Sequence, residues 1–213
     1  RALVLQTICS LLPTALGCKE GDVVLPIVPM FHVNAWNITY SAMMGGLKLI
    51  FPGPKLDGES LYELLDTEKV AYSLGVPTVW LALLQYLEKT GKTLPHLKKG
   101  LCGGSALPEA LIRAYEKLGI ELQQGWGMTE MSPLGTVNNL PPDIRALPLE
   151  KRLAVQLKAG RAMPFVDMRI ASEDGHILPH DGVAEGRLQV RGPWIAKSYY
   201  KAEAKTLTED GWF

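Results

Sequence analysis

Three short segments of the chain carry residue types from which a phosphate and nucleotide site can be built: residues 29–36, 103–106 and 124–130. Glycines let a flat ring approach the backbone, and Trp126 offers a stacking face. The hydroxyl of Thr129 can bond a phosphate oxygen, and the carboxylate of Glu130 is a hard oxygen ligand of the kind that Mg²⁺ prefers. Acting together, these groups predict a nucleotide site.

Taken singly, each segment also fits a purely structural role. Gly103-Gly104 suits a strand-to-helix turn that needs positive φ, and Ser105 could cap a helix that begins near Pro108. His32 could be a buried histidine with its hydrogen bonds satisfied, and Trp36 could belong to the core. Because the three segments follow successive predicted strands, their joint occurrence favours a functional site.

Helix and strand patterns alternate along the first 140 residues. The predicted helices cover residues 1–12, 34–44, 57–69, 78–90 and 108–118, and the predicted strands cover residues 23–28, 47–51, 70–74, 99–102 and 120–123. This alternation predicts an α/β fold, a mostly parallel sheet flanked by helices. Ligands bind at the carboxyl ends of parallel strands, so we expect the three segments to converge at one edge of the sheet.

The pattern changes after residue 140. We predict an α/β subdomain over residues 1–140, a connecting segment with a helix over residues 141–160, and a small β-rich lobe over residues 161–213 that is incomplete at its C-terminal end. The chain opens at Arg1 inside a helical pattern and stops inside a turn, so we expect it to be a piece of a longer protein.

Composition narrows the function classes. The 213 residues contain 22 Lys plus Arg and 22 Asp plus Glu, so no basic excess favours nucleic-acid binding. No run of eighteen apolar residues predicts a membrane-spanning helix, so we do not expect an integral membrane protein. Three cysteines without metal-binding spacing favour a reducing, cytoplasmic setting.

Five motifs, in order, resemble those of the AMP-forming acyl-CoA synthetases, a branch of the adenylate-forming superfamily. They lie at residues 29–33, 103–106, 125–130, 185–200 and 210–213. Within that family, the chain is most similar to medium- and long-chain fatty-acyl-CoA ligases and to 3-methylthiopropionyl-CoA ligases. It departs from the family pattern at Arg187, where a Glu is usual, and at Ser198, where a Gly is usual.

The resemblance implies that the chain is the central part of the family's large N-terminal domain. The family's Ser/Thr/Gly-rich phosphate loop would precede Arg1, and its ribose-binding Asp and lysine-bearing C-terminal domain would follow Phe213. We therefore expect the 213 residues alone to be inactive as a ligase.

The resemblance also implies a reaction. ATP and a carboxylic acid would form an acyl-adenylate with Mg²⁺ as cofactor, and CoA would then displace AMP. Glu130 would hold Mg²⁺, and Thr129 would bond the α-phosphate. The residues implied at the adenine are Gly125 and Trp126, with Gly104, Ser105 and Gln124 nearby. The residues implied at the acyl carboxylate and the mouth of a fatty-acyl tunnel are His32, Val33 and Trp36, with Trp36 as a gate.

The acid is expected to carry an uncharged tail. Amino-acid-activating relatives place an Asp in the segment that here reads His32 to Trp36, which contains no carboxylate, so a charged amine would lack a partner. A fatty acid is the favoured substrate, and aryl acids such as coumarate stay open.

Two other readings come from different classes. A truncated, non-catalytic homologue would bind acyl ligands or partner chains, and its exposed edges would favour a homodimer. An NAD-binding domain shares the fold class but requires a Gly-x-Gly-x-x-Gly turn after the first strand, which this sequence lacks.

Overall fold

The computed structural model describes residues 1–201 and 206–213, and residues 202–205 of the predicted β-rich lobe lie outside the described residues. A seven-stranded sheet runs through the centre, flanked by helices on both faces, and a separate two-stranded sheet follows it. The predicted α/β fold class with a mostly parallel sheet is confirmed.

The large sheet has the order β2-β1-β3-β4-β5-β6-β7. Its strands are β1 Val23–Ile27, β2 Lys48–Leu49, β3 Tyr72–Gly75, β4 Lys99–Cys102, β5 Glu121–Gly127, β6 Leu134–Val137 and β7 Arg161–Ala162. Strands β1 to β5 are parallel, and β6 and β7 add antiparallel pairs at one edge. The small sheet pairs β8 (Asp167–Ala171) with β9 (Arg187–Arg191) in antiparallel fashion.

The helices connect the parallel strands. They are α1 Ala2–Ser10, α2 Val33–Trp36, α3 Ile38–Gly45, α4 Gly58–Thr67, α5 Pro77–Thr90, α6 Glu109–Lys117, α7 Pro142–Arg145 and α8 Leu149–Gln156. Local signals set several ends. The Asp57 carboxylate accepts a hydrogen bond from the Ser60 N–H at 3.0 Å at the start of α4. Pro77 occupies the first turn of α5, and Gly91 closes that helix in the left-handed conformation.

Alternation along the strands divides the core between the two faces of the sheet. On one face, Leu25 packs with Trp80 of α5 and Tyr115 of α6. On the other face, Val24 packs with Ile38 of α3 and with Leu101 of β4. Because neighbouring strand residues point to opposite faces, the inner strands β1, β3, β4 and β5 are largely buried on both sides, whereas β2 at the edge of the sheet is partly exposed.

Pro26 is tolerated inside β1 because of where β2 ends. The Val24 carbonyl accepts a hydrogen bond from Ile50 on the β2 side, and Pro26, two residues on, faces the same side. The last β1 residue paired with β2 is Val24, so no β2 carbonyl lies opposite the missing N–H of Pro26.

The predicted single helix over residues 34–44 is wrong in its first turn. Val33 to Asn37 all have φ between 48° and 66°, which makes α2 a left-handed turn, and the right-handed helix α3 begins only at Ile38. A left-handed turn of five residues without glycine is unfavourable for L-amino acids, so tertiary contacts must hold it.

Two further observations bear on the predicted boundaries. Strand β7 pairs with β6, so the large sheet reaches past residue 160, and the three-part division of the chain stays a prediction. Among the residues that the structure describes, no helix combines the length and the hydropathy that crossing a bilayer requires.

Candidate active site

Two adjoining cavities open at the carboxyl ends of β1, β4 and β5. The larger encloses about 320 Å³ and the smaller about 310 Å³. Gly104, Gly125, Trp126 and Gly127 line both cavities and so form their common wall. The three predicted segments therefore meet at one edge of the sheet, as their positions after parallel strands indicate.

All ten sequence-predicted site residues line these cavities. The larger cavity brings together His32, Val33, Trp36, Gly104, Gly125, Trp126, Thr129 and Glu130. The smaller cavity adds Ser105 and Gln124. The structure thus juxtaposes the residues, and the role of each stays a prediction.

Gln124 shapes the smaller cavity through its side chain. Its Oε1 accepts a hydrogen bond from the Leu107 N–H at 2.5 Å, and its Nε2 donates to the carbonyl oxygens of Gly125 at 3.1 Å and Ser105 at 3.3 Å. The side chain is buried and bound to the backbone on both sides. It therefore fixes the loop after β4 against β5.

The left-handed turn α2 carries Val33 and Trp36 into the larger cavity. The turn is anchored by Asn37, which is 1% exposed. The Nδ2 of Asn37 donates hydrogen bonds to Thr7 Oγ1 at 3.0 Å and to the Oε1 of Gln6, both on α1. Buried polar groups require such partners, so this cluster gives the strained turn a specific tertiary support.

The glycine-rich third segment is part of β5 itself. The predicted strand over residues 120–123 ends too early, because β5 continues to Gly127 and pairs with β6, where Gly125 lies opposite Val137. A Cβ at Gly127 would lie 1.9 Å from the Pro133 carbonyl oxygen, so only glycine fits there. The close approach of the β6 backbone explains this glycine without a ligand.

Thr129 and Glu130 lie on a short 3₁₀ turn, Thr129–Met131, directly after β5. Thr129 is exposed and Glu130 is half-buried. Glu130 Oε1 accepts a hydrogen bond from the Tyr199 hydroxyl at 2.6 Å. This bond to a carboxylate raises the pKa of Tyr199 above its ordinary value, because a nearby negative charge disfavours the phenolate.

The single carboxylate that the described residues offer here, that of Glu130, fits an Mg²⁺ ion whose other ligands come from the substrate and water. Among the described residues, no group of three or more His, Cys, Asp or Glu side chains could by itself hold a metal ion. Glu130 Oε2 makes no hydrogen bond within the described part of the chain. Mg²⁺ is usually bound by one or two carboxylates together with phosphates and water, so a lone carboxylate suits a metal that arrives with a nucleotide.

Sequence reasoning missed several residues of the larger cavity. They include Ser10, Leu16, Leu74, Leu101 and Leu134. Leu74 and Leu101 belong to neighbouring strands and face the same side of the sheet, so strand alternation could have placed them. Ser10 and Leu16 come from α1 and the loop after it, and no sequence signal pairs that segment with a distant cavity.

Comparison with known proteins identifies the family of the chain. A family described as AMP-binding enzyme matches residues 2–200. Over 216 residues the chain is 47% identical to a long-chain-fatty-acid–CoA ligase of Thermus thermophilus, covering all of this chain and 40% of the relative. Over 214 residues it is 42% identical to a 3-methylmercaptopropionyl-CoA ligase of Ruegeria lacuscaerulensis, again covering all of this chain and 40% of the relative.

A solved structure gives the same result for the fold. The N-terminal domain of FACL13 from Mycobacterium tuberculosis superposes with a TM-score of 0.82 at 28% identity, covering all of this chain and 51% of that one. The chain spans about 40% of the length of the curated relatives it matches. With a family match over nearly its whole length, the chain belongs to the AMP-binding enzymes, the family that includes the fatty-acyl-CoA ligases.

Proposed function

We propose that the chain supplies the nucleotide and acyl sites of an AMP-forming fatty-acyl-CoA ligase, which activates a carboxylic acid with ATP and transfers it to CoA. The observation that carries the proposal is the pair of adjoining cavities with a common wall at Gly104, Gly125 and Trp126. Adenine would occupy the smaller cavity and the acyl group the larger. The reacting carboxylate and α-phosphate would then meet beside Thr129 and Glu130.

In the first half-reaction, the main task of the protein is to position the carboxylic acid and ATP. A carboxylate oxygen of the acid attacks the α-phosphorus of ATP, and the bond to pyrophosphate breaks. The Thr129 hydroxyl would donate a hydrogen bond to the α-phosphate, and His32 would border the attacking carboxylate. Holding both groups in reach lowers the barrier by removing the entropy of their encounter. Bound Mg²⁺, held by Glu130, would offset negative charge on the phosphates.

The second half-reaction transfers the acyl group to CoA. The CoA thiol attacks the acyl carbonyl carbon, and AMP leaves. We propose that the 213 residues alone do not complete this cycle, since they contain no Ser/Thr/Gly-rich loop ending in Pro-Lys-Gly. The three free cysteines support a reducing, cytoplasmic setting for the reaction.

An uncharged acyl tail fits the larger cavity best. Leu16, Leu74 and Leu101 contribute apolar walls, and Glu130 is the only carboxylate among the described residues that line it. With Glu130 assigned to Mg²⁺, no acidic partner is left for the amino group of an amino acid. A medium- or long-chain fatty acid is therefore the proposed substrate class.

The experiment is acid-dependent ATP–pyrophosphate exchange by the complete gene product. The acids are a saturated fatty-acid series of medium and long chain, 3-methylthiopropionate, p-coumarate and phenylalanine. We expect fatty acids to give the highest rates and phenylalanine to give none. Exchange driven best by coumarate or phenylalanine would overturn the substrate class, and no exchange with any acid would overturn the ligase proposal.

A further inference from the structure

Glu130 is held by a segment of the chain that lies outside the sheet, residues 194–199, which follow β9. Its backbone carbonyl accepts a hydrogen bond from the Ala196 N–H at 2.8 Å, and its carboxylate Oε1 accepts one from the Tyr199 hydroxyl at 2.6 Å. The Ser132 hydroxyl, two residues after Glu130, donates to the Trp194 carbonyl at 3.3 Å. The turn with the proposed Mg²⁺ ligand is thus bound to this segment at three points.

The segment itself is fixed by packing. Trp194 is 2% exposed and belongs to the core cluster on the α1 face of the sheet. The ring of Tyr199 lies edge-on to that of Phe213, with centroids 6.2 Å apart. Phe213 in turn exchanges two backbone hydrogen bonds of 2.9 Å with Val190 of β9. The contact with Phe213 therefore restrains the ring of Tyr199, although about half of the residue's surface is exposed.

The hydrogen bond from Tyr199 makes the two carboxylate oxygens of Glu130 different from each other. Oε1 is engaged by Tyr199, and Oε2 makes no hydrogen bond within the described residues. A free glutamate side chain would have to lose its rotamer freedom each time it bound a metal ion. A hydrogen-bonded partner behind a ligand removes much of that loss and sets its direction.

We propose that Tyr199 is a positioning residue whose hydroxyl holds Glu130 by Oε1, so that Oε2 is the oxygen offered to Mg²⁺. The inference rests on the proposed function and deepens it, since it assigns the small lobe a part in metal binding. Tyr199 touches Glu130 and acts through it.

The test compares Tyr199→Phe with Tyr200→Phe in the complete gene product. The adjacent Tyr200 is 89% exposed and makes no hydrogen bond to Glu130. ATP binding is measured by calorimetry across a Mg²⁺ titration, without turnover. Losing a partner behind a metal ligand typically weakens metal affinity about 10- to 100-fold, so we expect Tyr199→Phe to raise the half-saturating Mg²⁺ concentration by about tenfold or more. Tyr200→Phe should match the wild type, and the KM for fatty acid should not change in either variant.

A double-mutant cycle tests whether Tyr199 acts through Glu130. In a Glu130→Ala background, Tyr199→Phe should cause no further loss of Mg²⁺-dependent ATP binding. The proposal is overturned by an equal additional loss in that background, by an unchanged Mg²⁺ requirement in Tyr199→Phe alone, or by a lower requirement, which would make Tyr199 a competitor. Normal pyrophosphate exchange in Glu130→Ala alone would instead overturn the role of Glu130 within the proposed function.

Discussion

Trp36 and Gly103 lie so close that even a methyl group on Gly103 would crowd the indole ring. A Cβ on Gly103 would be 3.1 Å from Cη2 of Trp36 and 3.2 Å from the Gly125 carbonyl oxygen. The backbone oxygen belongs to a paired strand and is the more restrained of the two neighbours, so we expect the indole ring to give way by a few tenths of an ångström. The end of β4 therefore sets the position of the aromatic wall of the larger cavity.

Gly103→Ala should weaken acyl binding in the complete gene product. The indole ring would have to shift by a few tenths of an ångström, so we expect the fatty-acid KM to rise by about 5-fold, which corresponds to about 1 kcal/mol. The KM for ATP should change less, because Trp36 does not line the smaller cavity. The measurement is steady-state kinetics with each substrate varied in turn.

A second substitution tests whether displacement of Trp36 causes the loss of fatty-acid affinity in Gly103→Ala. Trp36→Phe in the Gly103→Ala background reduces the ring that the new methyl meets, and we expect it to recover part of the fatty-acid affinity. If the double variant binds fatty acid no better than Gly103→Ala alone, displacement of Trp36 is not the reason for the loss.

Glu130→Ala should slow adenylate formation by about 10²-fold or more, the magnitude typical of lost transition-state charge stabilisation. ATP–pyrophosphate exchange in the complete gene product measures it. Glu88→Gln on α5 is the matched control, since Glu88 is exposed and lines neither cavity. An exchange rate near the wild-type value in Glu130→Ala would contradict the assignment.

Asp210 should titrate at unusually low pH. The Arg169 guanidinium, at 2.7 and 3.0 Å, and the Thr208 hydroxyl, at 2.7 Å, lower the pKa of its carboxyl to about 2. Because the folded-state pKa is lowered, the stabilisation is present above the unfolded value of about 3.9 and is lost as the pH falls toward about 2. A carbon NMR titration of the Asp210 carboxyl measures the shift. In Arg169→Met the pKa should rise toward its ordinary value, and an unchanged low pKa there would contradict the ion pair as its cause.

Gly100→Ala should destabilise the fold without touching either cavity. A Cβ there would lie 2.3 Å from Cη2 of Trp80, which is fully buried and packs edge-on against Tyr115 at 5.4 Å. The ring has no free volume to move into, so we expect a loss of about 1–3 kcal/mol in the free energy of unfolding. Urea denaturation gives the value, and a change below about 0.5 kcal/mol would show that the helix layer can shift.

The alternation of helices and strands could be predicted because a helix buries one face and a central strand buries both, and each kind of burial leaves a regular pattern of apolar residues in the sequence. The period of the apolar residues shows in the sequence, and Pro77 and Gly91 mark the ends of α5. The convergence of the three segments followed from the topology of parallel strands alone. This topology accounts for the segments that follow β4 and β5, whereas Val33 and Trp36 reach the larger cavity on the left-handed turn α2.

The sequence did not reveal features that depend on distant partners. The turn α2 has the same apolar pattern in either hand, and its left-handed form goes with the buried contacts of Asn37 to Gln6 and Thr7 on α1. The extension of β5 to Gly127 could not be predicted because glycines have low strand propensity. The strand that pairs with this extension, β6, was not predicted either. The bond from Tyr199 to Glu130 joins residues 69 positions apart and has no local signature.

Strand β5 lines the candidate site and is also hydrogen-bonded to its neighbours in the sheet. The Gln124 carbonyl accepts from the Asn138 N–H at 2.8 Å, and the Met128 N–H donates to the Pro133 carbonyl at 2.9 Å. A nucleotide resting on this strand would therefore restrain the opening of the β5–β6 ladder. Amide protons of β6 should then exchange more slowly with solvent deuterium when ATP is present, so a strand that reaches the candidate site only at Leu134 would report its occupancy.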